Sequence, residues 1–81
     1  MRLDATAPKP GEAYIGFGRY AAGPFSLSPS GDLKEAAARL FGLLRAADAT
    51  RPLAIAVAPV PDEGLGEAIN DRLRRAAGFV G

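Results

Sequence analysis

The chain has 81 residues, of which 48% are hydrophobic and 23% charged, and its formal net charge is +1. It contains no cysteine and no histidine, which excludes disulfides, thiolate nucleophiles and imidazole-based catalysis or metal binding. The nearly neutral charge gives no electrostatic argument for a nucleic-acid or anionic-membrane partner. The composition therefore indicates one small globular domain, in which any catalysis would have to use carboxylates, arginines, lysines or tyrosines.

No apolar run approaches the roughly 18 residues of a membrane-spanning helix. The first residues, MRLDATAPKPGE, also lack the apolar core of a signal peptide. We therefore expect a cytoplasmic protein without membrane contact. A strand predicted to start at Arg2 leaves almost no leading residues, so we expect a fragment of a longer chain.

The first third of the chain contains short segments with the alternation and the aromatic or β-branched content of strands, at residues 2–5, 12–18 and 25–28. The stretch GFGRYAAG, residues 16–23, follows a strand as a phosphate-binding loop would. However, Ala21 replaces the third glycine, and Pro24 with another strand follows where that loop would enter a helix. A plain strand-ending turn is the favoured interpretation.

The clearest helix is predicted to start at Asp32. Asp32 and Glu35 fit a capping box, in which the first carboxylate accepts backbone amide hydrogens and the second reaches back. Phe41 and Leu43 widen the apolar face, which predicts packing on more than one side, and Pro52 lies beyond the helix end. The apolar face itself has helical spacing and consists of Leu33, Ala36, Ala37, Leu40, Leu44 and Ala47.

The continuous apolar run LAIAVAP, residues 53–59, is typical of a central strand covered on both faces of a parallel sheet. A second helix is predicted over residues 64–77, with Gly78 as its C-terminal cap. Its buried stripe is expected to consist of Leu65, Ile69, Leu73, Ala76 and Ala77. The order β-β-β-α-β-α predicts a single domain over residues 1–81 with a small Rossmann-like three-layer α/β fold, a mostly parallel sheet and two main helices.

The candidate site is the segment PVPDEGLGEAINDRLRR, residues 59–75, which joins the buried strand to the second helix. Its prolines keep the chain extended, and its glycines allow close approach to a sheet, another domain or a ligand. Asp62 and Glu63 either cap the helix, which is the favoured alternative, or form an acid–base pair or magnesium ligands. The candidate interdomain or ligand contacts are Pro59, Asp62, Gly64, Gly66, Asn70, Asp71 and Arg72.

The outward face of the second helix carries charges of both signs. Asp71 is spaced to pair with Arg75 or Arg74. Together with Arg72, these arginines could contact tRNA phosphates, but the interleaved Glu67 and Asp71 favour a solvated or partner-docking face. Direct tRNA binding is therefore not expected.

Two long segments, LSPSGDLKEAAARLFGLLRAAD and IAVAPVPDEGLGEAINDRLRRAA, resemble the C-terminal domain of bacterial L-threonylcarbamoyladenylate synthase. In this two-domain family the N-terminal half is a YrdC-like catalytic domain. The similarity covers about residues 2–77. Its most specific parts are the helix start at residues 28–32 and the run at residues 64–73.

The resemblance implies a Rossmann-like accessory domain of an enzyme that condenses L-threonine, bicarbonate and ATP into threonylcarbamoyl-AMP with release of pyrophosphate. The product serves threonylcarbamoylation of the adenosine beside the tRNA anticodon. The resemblance also places the catalytic pocket, ATP and Mg²⁺ in the YrdC-like half, which this chain lacks. It thus implies no catalytic residue, metal site or cofactor here, and a nucleotidyltransferase as the parent enzyme.

The first functional hypothesis is a non-catalytic domain that docks on the YrdC-like domain of the same chain and modulates access to its nucleotide pocket. The alternative is a small nucleotide- or anion-binding module with weak contacts near residues 59–66, because ligands favour the carboxyl ends of parallel strands. Asp62 and Glu63 disfavour an anion there.

Overall fold

The computed structural model describes residues 1–77 of the chain. Its elements are β1 (Glu12–Gly16), β2 (Phe25–Ser26), α1 (Leu33–Ala49), β3 (Ala54–Val57) and α2 (Leu65–Ala76). These strands form one parallel sheet in the order β2-β1-β3. The prediction that residues 53–59 form the central strand is wrong, because β1 lies in the middle and β3 at the edge. The predicted α/β class, with a parallel sheet and two main helices, is confirmed. The predicted cap Gly78 lies outside the described residues.

The predicted strand at residues 2–5 is reduced to one parallel bridge between Arg2 and Ala56. The Arg2 amide donates to the Ile55 carbonyl at 2.8 Å, and the Ala5 amide donates to the Val57 carbonyl at 2.9 Å. Between them Asp4 has a φ of 53°, which is incompatible with continuous strand geometry. This segment therefore covers the edge of β3 without becoming a strand.

The strand at residues 12–18 ends two residues earlier than predicted, at Gly16. Phe17 and Tyr20 then form an antiparallel bridge, in which each amide donates to the other residue's carbonyl at 3.1 and 3.0 Å. This tight pairing turns the chain out of the sheet. The interpretation of residues 16–23 as a strand-ending turn is confirmed.

Both helices lie on one face of the sheet, because they contact each other directly and helices on opposite faces could not. Irregular chain covers the second face. Tyr14 donates its hydroxyl there to the Ala5 carbonyl at 2.6 Å. On the same face, a β-carbon at Gly16 would overlap the Tyr20 carbonyl oxygen. The three layers are thus the helices, the sheet and the irregular connections. A full Rossmann fold differs, because it has helices on both faces of the sheet.

The N-terminus of α1 keeps only half of the predicted capping box. The Asp32 carboxylate accepts from the amides of Lys34 at 2.9 Å and Glu35 at 3.5 Å. However, the Asp32 amide donates to the Ser28 hydroxyl at 2.9 Å. Because Ser28 is itself buried, the chain before the helix supplies the acceptor that was expected from Glu35.

The buried stripe of α2 differs from the prediction. Leu65 is 46% exposed and Ala76 is also exposed, whereas Ile69 and Leu73 are buried. The inner face follows the helical spacing of Gly66, Ile69, Asn70, Leu73 and Ala77. Since a glycine and an asparagine occupy two of these positions, hydrophobicity alone places the stripe too far round the helix.

The apolar face of α1 is narrower than predicted. Ala36, Leu40 and Ala47 are buried, but Phe41 is 54% exposed and Ala37 is exposed. The prediction that Phe41 widens the packed face is wrong, because α2 lies beside α1 and leaves more than half of Phe41 exposed. The outer surface of the helix layer therefore retains apolar side chains.

An ion pair joins the N-terminal segment to β1. The Arg2 guanidinium donates from Nε to Glu12 Oε2 at 3.0 Å and from Nη2 to Oε1 at 2.7 Å. The Lys9 amide also donates to Oε1 at 2.7 Å. The Arg2 hydrogen bonds above all lower the pKa of Glu12 from 4.5 to about 2. Sequence patterns gave no sign of this pair.

We expect the Arg2–Glu12 pair to make stability pH-dependent in acid. Because the folded pKa of Glu12 is depressed, its contribution is present above pH 4.5 and is lost as the pH falls towards about 2. Thermal unfolding of the original chain and of Glu12→Gln, followed by circular dichroism, measures this. The two melting temperatures should differ at neutral pH and converge near pH 2; a constant difference across this range would contradict the assignment.

Candidate functional site

The candidate segment leaves the sheet at the carboxyl end of β3. The Ala58 amide still donates to the Ile15 carbonyl at 2.9 Å, and the chain then runs through Pro59, Val60 and Pro61. Val60 is buried, and its carbonyl accepts a hydrogen bond from Asn70 Nδ2 at 2.9 Å. Asn70 thus ties α2 to the loop that precedes it, which is a structural role for this predicted site residue.

The close approach predicted for the glycines occurs at Gly66. A β-carbon at this position would overlap the Pro61 carbonyl oxygen, so the partner in this contact is the chain's own loop. Gly64 stands at the N-cap with a φ of 55°, a conformation that residues with side chains rarely adopt. Both glycines therefore serve the loop-to-helix turn.

The interpretation of Asp62 and Glu63 as helix caps is wrong. No side chain in the described part of the chain caps α2. Asp62 Oδ1 instead lies 3.4 Å from Asn70 Nδ2, and the Glu63 carbonyl accepts from the Gly66 amide at 2.9 Å. Within residues 1–77, no group of three or more Asp, Glu, His or Cys side chains could hold a metal ion.

Asp71 and Arg72 lie on the solvent side of α2, away from the loop. Asp71 pairs with Arg75, as the spacing predicted, at 3.2 Å between Oδ2 and Nη2. Both side chains are well exposed, so the pair contributes only a few tenths of a kcal/mol. The guanidinium carbon of Arg72 lies 5.4 Å from the centre of the Phe41 ring on α1, which is cation–π distance. The predicted site residues therefore fall into an internal group and an exposed group.

The exposed group belongs to a larger surface that sequence analysis missed. Leu65 and Arg72 are seven residues apart and share one face of α2. We call this surface the helix patch and define it by the exposed residues Ala37, Phe41, Leu65, Ala68 and Arg72. In the sequence these positions are mostly apolar, and they remain exposed because the buried stripes of α1 and α2 are narrower than their apolar faces.

A cleft that was not predicted from the sequence lies between the loop after β1 and the loop after β3. It has a volume of about 380 Å³ and is lined by residues 17–20 and 59–61. Of the predicted site residues, Pro59 lines it. The guanidinium carbon of Arg19 lies 5.2 Å from the Tyr20 ring centre. An Arg-Tyr pair in a turn directly after a strand was the available signal.

A second cavity of about 490 Å³ adjoins the internal group of predicted residues. Asp62 and Asn70 line it together with Asp4 and Arg74. It lies beside α2, whereas the first cleft lies between the two loops. The two concave surfaces adjoin at Val60, which lines both of them.

These features define a small α/β domain with a parallel sheet, one layer of helices and its candidate site at the carboxyl end of the sheet. Residues 3–78 match the family model for the C-terminal domain of threonylcarbamoyl-AMP synthase. The chain belongs to this family, which confirms the resemblance and points to tRNA threonylcarbamoyladenosine modification. Searches of curated proteins and of solved structures gave no match. No helix among residues 1–77 has the length and apolar character to cross a membrane.

Proposed function

We propose that this domain docks on the YrdC-like catalytic domain of a threonylcarbamoyl-AMP synthase, in the same chain, and modulates access to the nucleotide pocket. In this proposal the catalytic domain binds ATP and Mg²⁺ and performs the nucleotidyl transfer with L-threonine and bicarbonate. The present domain contributes no catalytic residue or cofactor. The cytoplasm, where tRNA is modified, is its proposed location.

The helix patch is the observation that carries this proposal. Phe41 is 54% and Leu65 46% exposed, and the guanidinium of Arg72 lies over the Phe41 ring. Exposed apolar patches mark interaction sites, and aromatic residues and arginine are enriched in protein interfaces. A C-terminal domain of a multidomain enzyme family has a partner for such a surface within its own chain.

The predicted site residues have two roles in this proposal: some contact the partner and the others hold the contacting surface in place. Asp71 and Arg72 lie at or beside the helix patch and contact the partner. The internal residues support that surface by fixing the start of α2. Gly66 packs so closely against the Pro61 carbonyl that a β-carbon would overlap it, and Asn70 donates a hydrogen bond to the Val60 carbonyl. These internal residues are Pro59, Asp62, Gly64, Gly66 and Asn70.

The alternative is a nucleotide- or anion-binding module near residues 59–66, and the geometry does not favour phosphate binding in the part of that segment that starts α2. The Gly66 amide donates to the Glu63 carbonyl at 2.9 Å, and the Glu67 amide donates to the Gly64 carbonyl at 3.2 Å. These amides are therefore not free for an anion. The carboxylates of Asp62 and Glu63 beside them also repel one.

An amide-resolved NMR titration of this domain with a separately expressed catalytic domain of the same enzyme tests the proposal. We expect shifts concentrated on the helix patch. Leu65→Asp should weaken binding about 30-fold, because it places a charge in the desolvated centre of the interface. Leu53→Asp is the matched control: Leu53 is 90% exposed and lies outside the patch, so its affinity should stay within about twofold.

Absence of binding would refute the docking function. Binding with shifts outside the helix patch, and with equal affinities for the Leu65 and Leu53 variants, would retain docking but assign it to another surface. Circular dichroism of both variants confirms that they are folded before affinities are compared.

A further inference from the structure

The sheet has a topological switch point between β1 and β3. These strands are parallel neighbours, but their connections leave towards opposite faces. The chain after β1 crosses the second face, where the Tyr20 carbonyl covers Gly16. The chain after β3 enters α2 in the helix layer. In open parallel sheets, ligands bind in the crevice that such a divergence opens at the carboxyl ends of the strands.

The cleft between residues 17–20 and 59–61 lies at this switch point. Its volume of about 380 Å³ is within the range of small-molecule sites. Its base is apolar, since Phe17 is 5% and Val60 6% exposed, and Pro59 and Pro61 add apolar walls. The shape is preformed, because the Phe17–Tyr20 bridge and the Asn70–Val60 hydrogen bond hold the two loops.

One cation stands at the rim of this apolar cleft. Arg19 is exposed, and its guanidinium lies over the Tyr20 ring, with Nη2 donating to the Tyr20 hydroxyl at 3.4 Å. Within residues 1–77 it forms no salt bridge. Its remaining N–H groups can therefore donate to an anionic group of a ligand.

Four positions of the two loops offer no free amide to a polyphosphate. The Gly18 amide donates to the Ser28 carbonyl at 2.8 Å, and the Tyr20 amide donates to the Phe17 carbonyl at 3.0 Å. Pro59 and Pro61 have no amide hydrogen. The cleft thus offers an apolar body and a single guanidinium, which selects against a chain of phosphates and for one anionic group.

We propose that this cleft binds a small molecule with a planar ring and a single anionic group, the ring lying against Phe17, Tyr20 and Pro59 and the anion at Arg19. A nucleoside monophosphate and an aromatic carboxylate share this chemistry. The site uses other residues than the helix patch, so this proposal is independent of the docking function.

The test is an amide-resolved NMR titration of the 81-residue chain with AMP, adenosine, indole-3-acetate and inorganic phosphate. We expect saturable shifts at residues 17–20 and 60 with AMP or indole-3-acetate. The ratio of the two dissociation constants distinguishes a nucleotide site from a site for an aromatic acid. Adenosine lacks the anion and should bind about 10-fold more weakly than AMP, because one charge-assisted hydrogen bond is lost. Phosphate lacks the ring and should cause no shift in the cleft.

Arg19→Gln should weaken binding of the preferred probe about 10-fold. Arg39→Gln is the matched control, because Arg39 is an exposed arginine of α1 outside the cleft, and it should leave the affinity unchanged. The proposal is overturned if neither AMP nor indole-3-acetate gives saturable shifts in the cleft. It is also overturned if the two arginine variants bind equally well.

Discussion

Replacing Gly66 by alanine should lower the free energy of unfolding by about 3 kcal/mol, because the added β-carbon overlaps the Pro61 carbonyl oxygen. The loop cannot easily retreat, since Pro59 and Pro61 stiffen it and the Val60 carbonyl is hydrogen-bonded to Asn70. For a domain of this size the melting temperature should fall by roughly 15 °C. Thermal and urea unfolding monitored by circular dichroism measure the change.

Gly42→Ala is the matched control for this substitution. Gly42 is exposed in the middle of α1, and within the described chain an added β-carbon would have no atom within 4 Å beyond its neighbouring residues and the backbone of its own helix. Alanine should therefore stabilise the protein by up to about 1 kcal/mol, through the ordinary helix propensity difference. Equal stabilities of the two variants would show that residues 59–61 do not hold a fixed position against α2.

Truncating Leu73 to alanine should cost about 2–5 kcal/mol, because Leu73 is 1% exposed and its loss leaves a cavity in the core. This approaches the total stability expected of a small domain, about 5 kcal/mol. The variant should therefore unfold at a much lower temperature or be partly unfolded at room temperature. Urea unfolding at low temperature keeps the measurement possible in either case.

Leu65→Ala in the same helix should cost less than about 1 kcal/mol, since Leu65 is 46% exposed. Hydrophobicity alone predicts that both leucines are buried, whereas in the structure Leu73 lies on the inner face of α2 and Leu65 does not. Comparing the two variants distinguishes these two arrangements. A cost at Leu65 as large as that at Leu73 would place Leu65 in the core. The helix patch would then lose one of its apolar members.

The stability experiments also bear on function. The helix patch requires Leu65 to be free for a partner, whereas the constraints at Gly66 and Asn70 require the start of α2 to be held by the domain itself. If both requirements are met, a Leu65 variant weakens docking with little change in stability, whereas a Gly66 variant changes the stability of the domain as well. Leu65 is therefore the more informative position in the intact enzyme.

Several features followed from sequence because the interactions that form them are local. The Asp32 cap, the Asp71–Arg75 pair and the turn after β1 each depend on groups within four residues of one another. The uninterrupted apolar run predicted that both faces of β3 are covered, and Ala56 and Val57 are indeed buried. Its predicted central position is wrong, because pairing between strands is a long-range contact that places β1 in the middle. The two long family segments identified the family, which the match over residues 3–78 confirmed.

The sequence by itself thus determined the α/β class, the helices and their starts, and the family. Only the tertiary structure decided which face of α2 is buried, which side of the sheet carries the helices, and where the concave surfaces lie. These depend on contacts between residues distant in the chain, such as Arg2 with Glu12 and Asn70 with Val60. Periodicity describes one element at a time, whereas a buried face or a cleft arises only where two elements meet.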